Sequence, residues 1–195
     1  MTDFPDLRLL DVLVSQLCHD LVSPLGAVLN GLELMAEMTG GDREDATALV
    51  EDSAGLLGAR IGFFRVAYGA GGANAGLPAA EAAARAYLRG SRASLDWRPA
   101  PGWAGPGRPR ALLALLAAVV DCLPRGGNVS VDGTAIRGRG EGRVEAGALG
   151  RDISAEAIDA RSVLAVLAVM RLREAGLAFR VESGDGSIVV HVDLP

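Results

Sequence analysis

Between Leu7 and Met38 the apolar residues Leu10, Leu13, Leu17, Leu21, Val28, Leu32 and Met35 recur at steps of three and four, with Pro24 filling one place in the series. That spacing lines one face of a 3.6-residue helix, so the segment is predicted to form a single long amphipathic helix. Thr39-Gly40-Gly41 interrupts it. Asp42 is expected to cap a second helix, with Glu44 and Asp45 in the first turn where the helix dipole favours negative charge. The second helix runs through Leu49, Val50, Leu56, Leu57, Ile61 and Phe64 to about Tyr68. Two long helices on a short loop close into an antiparallel hairpin. A lone pair with wide apolar stripes cannot bury both, so the hairpin is expected to form a dimeric four-helix bundle with a second copy.

The glycine- and alanine-rich stretch from Gly69 to Gly76 reads as a linker to a second domain. There, helices are predicted over Ala79 to Leu88, Pro109 to Leu123 and Ser154 to Ala175, the middle one ended by Pro124-Arg125-Gly126-Gly127. Strands are predicted over Ser94 to Arg98, Asn128 to Asp132 and Arg143 to Glu145, with a terminal hairpin of Ala178 to Glu182 and Ser187 to Asp193 turning at Gly184-Asp185-Gly186. The fold class is therefore α+β, with helices on one face of a sheet. The expected division is a helical hairpin over 1–68, a linker over 69–77 and an α/β domain over 78–195.

Composition removes several chemistries. All 19 basic residues are arginine, which excludes the lysine of a P-loop and any Schiff-base enzyme. Two histidines (His19, His191) and two scattered cysteines (Cys18, Cys122) are too few for an ordinary zinc site, so no metal is expected on this chain. Unpaired thiols fit the cytoplasm, and Asp11, Asp20 and Glu33 interrupt the longer apolar runs, so neither a membrane nor a secretory route is expected. A net charge of -5 argues against nucleic acid as a partner. The Arg/Gly cluster from Arg137 to Arg143, which includes Gly138-x-Gly140-x-Gly142, reads as a mobile loop between strands. It lacks the strand-turn-helix setting of a dinucleotide fingerprint. His191, in an alternating strand, reads as structural.

Chemistry concentrates at Cys18-His19-Asp20-Leu21-Val22-Ser23-Pro24-Leu25. Pro24 has no N–H for the Asp20 carbonyl and crowds it, a defect costing about 3 kcal/mol inside a helix, so some compensation is expected. At 100° per residue, the His19 face also carries Ser15, Gln16, Ser23, Gly26, Asn30 and Glu33 and points away from the apolar stripe. Cys18 diverges from His19 by one helical step and cannot share its proton, so packing is its expected role.

The His-Asp-x-x-x-Pro-Leu pattern on the first helix of a hairpin resembles the phosphoacceptor box of histidine-kinase dimerisation domains. Nearly the whole chain is similar to the ChpT-type histidine phosphotransferases of alphaproteobacteria. The likeness rests on Leu17-Cys18-His19-Asp20-Leu21, Asn30-Gly31-Leu32-Glu33-Leu34, Phe63-Phe64-Arg65 and Leu123-Pro124-Arg125-Gly126-Gly127. The resemblance implies that His19 accepts a phosphoryl group from a receiver aspartate and passes it to another receiver, with Asp20 orienting the imidazole and Ser23 able to position water. It implies as partners a second copy, the receiver of a hybrid histidine kinase as donor, and response regulators of CtrA or CpdR type as acceptors. Mg²⁺ would come with the receiver. With the turn near Gly40 as pivot, His19 should lie beside a residue about 21 positions beyond it, near Ile61. Below that level, toward the turn, the small residues Ser23 and Gly26 on helix one and Gly55 and Gly58 on helix two are expected to leave a groove for a receiver helix, with Val22 and Asn30 also among the receiver-binding residues.

Relative to the kinases, Ala114 and Ala118 stand where asparagines hold Mg²⁺ and phosphate. Ala146-Gly147-Ala148-Leu149-Gly150 replaces the aspartate-glycine box, and the glycine-rich lid before the helix of Ser162 to Ala175 is absent. Apolar side chains cannot ligate a hard cation, so the second domain is expected to be a kinase ATP-binding fold that has lost its nucleotide. An ATP-dependent histidine kinase and a non-catalytic dimeric scaffold for receivers are the competing readings. The alanines weigh against the first, and the presence of His19 and Asp20 against the second.

Overall fold

Helix α1 (Leu7–Glu37) and helix α2 (Gly41–Ala67) form the hairpin in a computed structural model that describes residues 7–37, 39–141, 144, 146–150 and 157–195. Their antiparallel register is set by close contact. A Cβ on buried Gly31 would lie 2.5 Å from a Val50 methyl and 3.6 Å from the Ala46 carbonyl oxygen. The reversal between the helices is made by Gly40, at φ 64°, and it is Gly40 that stands at the N-cap of α2. That left-handed backbone suits glycine, and it starts the helix one residue before Asp42. Asp42 thus caps nothing with its side chain and lies in the first turn with Glu44, where both still favour the dipole.

The stretch after α2 begins with a packed turn, although Ala70, Gly71, Ala73, Asn74 and Gly76 are exposed. It forms a 3₁₀ turn at Ala70–Gly72 that folds back on the helix end, where a Cβ on Gly72 would stand 1.9 Å from the Val66 carbonyl oxygen. Glycine serves close approach there, which composition alone cannot distinguish from chain freedom.

The remainder is α3 (Leu77–Leu88), β1 (Ala93–Pro99), α4 (Arg108–Asp121), β2 (Gly127–Gly133), β3 (Ala135–Gly140), α5 (Val163–Glu174), β4 (Phe179–Gly184) and β5 (Ser187–Val192). The sheet order is β1-β2-β3-β5-β4; β1 and β2 run parallel and every other pair antiparallel. Helix α4 touches β2 and β3 as well as α2, α3 and α5, and every residue from Pro109 to Val119 is buried. Phe63, Phe64 and Ala67 of α2 join that same core, so the apolar interior runs without a break from the hairpin into the sheet layer.

Two expectations about elements are corrected. The Arg/Gly cluster is not a loop, because its first residues are β3. Ile136 and Gly138 are buried while Arg137 and Arg139 are exposed, the alternation of a half-buried strand. The inward places are held by glycine since α4 presses against them: a Cβ on Gly138 would lie 2.8 Å from Val119 Cγ1 and 3.0 Å from Ile188 Cγ2. The last helix starts at Val163 and not at Ser154. Asp159 Oδ1 accepts from the backbone N–H groups of Arg161 (3.0 Å) and Ser162 (2.9 Å), a side-chain turn that holds the chain out of helix until Ser162. Residues 154–156 of that expected helix lie outside the described residues, as does the strand expected at 143–145 apart from buried Val144.

Gly138→Ala should destabilise the protein by about 1–3 kcal/mol through overpacking between α4 and β5. The urea midpoint of the variant checks this, since an unchanged midpoint would mean that the α4–sheet contact has room to give.

Candidate functional site

α1 presents the His19 side chain 85% exposed, and Asp20 beside it only 19% exposed. His19 Nδ1 lies 3.5 Å from Asp20 Oδ1, and the same oxygen accepts from Gln16 Nε2 at 3.2 Å, one turn back. The carboxylate is thus held by its own helix on the Nδ1 side of the imidazole. Nε2, at the far side of the ring, is left to solvent.

Pro24 is buried. The Asp20 carbonyl that it leaves without a helical partner accepts instead from Arg60 Nη1 of α2. This contact puts residue 60 level with residue 20, in agreement with the register worked out from the turn. It also names the compensation that the mid-helix proline requires. The motif itself does not reveal Arg60, although the missing N–H and the hairpin arithmetic together point to a donor at that level of helix two.

A cavity of about 230 Å³ lies beneath this contact, lined among others by Gln16, Asp20, Arg60, Tyr87 and Asp121. Burial, followed by the nearby charge of Asp20, holds the Asp121 carboxyl above its ordinary range. The Tyr87 phenol is pushed up to about 12, first by burial and then by Asp20, with Arg60 pulling the other way. Two carboxyls and one guanidinium therefore share the floor of the site, and Tyr87 keeps its proton at neutral pH.

Ser23, Val22 and Asn30 are exposed on the same stretch of α1. Gly26, Gly55 and Gly58 have open space where a Cβ would stand. Gly55 lines a groove of about 600 Å³ whose far wall is Ala86, Arg89 and Gly90 at the end of α3. It sits on the side of α2 turned toward α3, a direction that residue spacing on α1 could not supply. Cys18 is exposed rather than packed. It continues an uncovered apolar stripe on α1 with Val14, Val22, Leu25, Leu29 and Leu32, of which Val22 is 63% exposed. His191, on β5, has Nε2 3.8 Å from Glu182 Oε1.

Ala114 and Ala118, the positions aligned with nucleotide ligands, are 0% and 2% exposed within the core. They face packed side chains. Among the described residues no group of three or more His, Cys, Asp or Glu stands close enough to hold a metal ion.

Residues 77–187 match the family described as histidine phosphotransferase C-terminal domain. The protein phosphotransferase ChpT of Brucella abortus (strain 2308) is 39% identical over 124 residues, 62% of this chain. The match spans 58% of that relative's length. The solved structure of a bacterial phosphotransferase is 32% identical and superposes with a TM-score of 0.79 over 98% of each chain. The chain belongs to the histidine phosphotransferase family.

Because buried alanines stand at both aligned positions and offer no ligand for Mg²⁺ or phosphate, calorimetric titration with Mg²⁺ and ATP or ADP is expected to give no binding heat. A micromolar, Mg²⁺-dependent site would return the protein to the ATP-dependent kinases.

Proposed function

We propose that this chain is a phosphorelay carrier whose His19 takes a phosphoryl group from the aspartate of one receiver domain and delivers it to another. The observation that carries the reading is an exposed imidazole whose Nδ1 faces a half-buried, helix-anchored carboxylate. An Asp20 acceptor favours the neutral tautomer with its proton on Nδ1, which leaves the Nε2 lone pair free for attack. Nε2 bonds to phosphorus as the bond from phosphorus to the aspartyl oxygen breaks. The receiver aspartate leaves as carboxylate, and the Nδ1 proton stays on the ring, whose charge the Asp20 carboxylate faces. Delivery to the second receiver is the same displacement in reverse. Ser23, one turn on, stands where a hydroxyl can hold a water near the transferring group.

Such a displacement is mostly positioning and charge neutralisation, and Mg²⁺ supplies part of the latter. The receiver brings the ion in this reading. The donor is the receiver of a hybrid histidine kinase and the acceptors are CtrA- or CpdR-type regulators. Val22, Gly26 and Asn30 on α1, with Gly55 and Gly58 on α2, contribute to receiver docking.

The uncovered stripe of α1 supports a homodimer. Cys18, Val22, Leu25, Leu29 and Leu32 follow steps of four and three, the spacing of a helix seam that a second copy covers. By length and composition α1 would also be apolar enough to cross a membrane. Yet its other faces carry the His19–Asp20 pair and pack on α2 and α5, so we place the protein in the cytoplasm with this stripe closed by a four-helix bundle.

His19→Gln should leave a folded dimer that takes no labelled phosphate from a phosphorylated receiver; label on that variant would refute the assignment. The full chain should scatter light as a dimer at micromolar concentration, and a monomer there would remove the bundle.

A further inference from the structure

We propose that Arg60 is a positioning residue for His19: by donating to the Asp20 carbonyl that Pro24 leaves without a partner, it fixes the turn of α1 that presents the imidazole. This rests on reading His19 as the phosphoacceptor. A helix is held turn by turn by its N–H to carbonyl ladder, and the rung from residue 24 to residue 20 is missing in α1. It is missing one residue from His19, inside the turn whose backbone aims the ring. Without a replacement, that carbonyl would turn outward to find water and carry the adjacent backbone with it.

Arg60 supplies the replacement from the opposing helix, and with a charged donor, which makes the stronger kind of hydrogen bond. Its surroundings keep it there. Arg60 lines the cavity that also holds the Asp20 and Asp121 carboxyls, two acids that draw a guanidinium to that spot. The contact also ties α1 to α2 at the level of the histidine, so the two helices cannot slide past one another without breaking it. In-line transfer to a ring nitrogen tolerates little misplacement, which is how a residue that never touches phosphate governs the rate.

The test is a cycle of four full-length proteins: parent, Arg60→Met, Pro24→Ala and the double variant, each checked for fold by circular dichroism. Single-turnover transfer from a phosphorylated receiver is followed over a range of donor concentrations, to separate the saturating rate from the half-saturating concentration. Arg60→Met should lower the saturating rate about tenfold, with the half-saturating concentration unchanged. In the Pro24→Ala background, where the alanine restores a backbone N–H for the Asp20 carbonyl, the same substitution should cost less than about twofold. Arg60→Lys, which keeps one charged donor, should recover most of the rate.

Equal losses in both backgrounds, or a change confined to the half-saturating concentration, would overturn the proposal, the latter by making Arg60 a receiver contact. If Arg60→Met does not fold alone, the double variant decides: recovery of fold and transfer supports the assignment, and failure of either overturns it. A parent chain that takes no phosphate would remove the reading of His19 itself. A parent that does take it, with additive losses, removes only the role of Arg60.

Discussion

Two guanidinium groups at the end of α2 hold the hairpin to the rest of the protein. Arg110, at the start of α4 and 8% exposed, donates to the carbonyls of Tyr68 (3.3 Å) and Gly69 (3.1 Å). Arg171 of α5 reaches the Tyr68 carbonyl at 3.4 Å. Tyr68 caps the C-terminus of α2, where the negative end of the helix dipole lies, so a pair of cations is the right complement there; the Gly69 carbonyl just beyond also accepts from the Gly72 N–H. Burial, and then the charge of Arg171, pull Arg110 down from the usual arginine range. The penalty for desolvating two like charges side by side is offset by the carbonyls that face them. Because α4 and α5 both contribute, the hairpin is clamped to the helical layer itself and not to a passing loop.

That clamp sets what lies beneath the histidine. It brings Phe63 onto Tyr87 of α3, their rings stacked with centroids 4.1 Å apart, and so seats α3 against the last turns of α2. Tyr87 in turn lines the cavity of Asp20 and Arg60, to which α4 adds Asp121 and α5 Leu164, so all five helices contribute to the walls of the site. The same packing takes up Ala114 and Ala118, so the two positions aligned with a kinase's nucleotide ligands offer no polar side chain.

The helices were legible because their apolar spacing is long and regular, and α1 and α2 fall within a few residues of where periodicity puts them. The histidine box was legible because a proline in mid-helix is costly enough to need a reason. Glycine was the recurrent source of error, for one physical cause: sequence shows that a Cβ is absent but not whether space or contact requires it. At Gly40 the cause is a left-handed reversal, at Gly72 the nearby Val66 carbonyl, at Gly138 the approach of α4. Read as freedom, these positions yielded a side-chain cap, a loose linker and a loop. Two of the three are tight packing. Arg60 escaped notice because its role is a main-chain hydrogen bond across the hairpin, which leaves no motif.

α1 therefore carries three duties at different angles of one cylinder. Pro24 and Gly31 are buried toward the rest of the chain, while Leu25, Leu29 and Leu32 remain uncovered on the apolar side. His19 falls between those directions, since one helical step separates it from Cys18 on the stripe and another from Asp20 against the body. A histidine on the face of Pro24 and Gly31 would be covered by the chain's own core. On the strip between that face and the uncovered apolar stripe, which Gln16, Ser23 and Gly26 share, the imidazole is 85% exposed. The aim of its Nε2 therefore depends on the turn of α1 that sets one neighbour against the body and the other on the stripe.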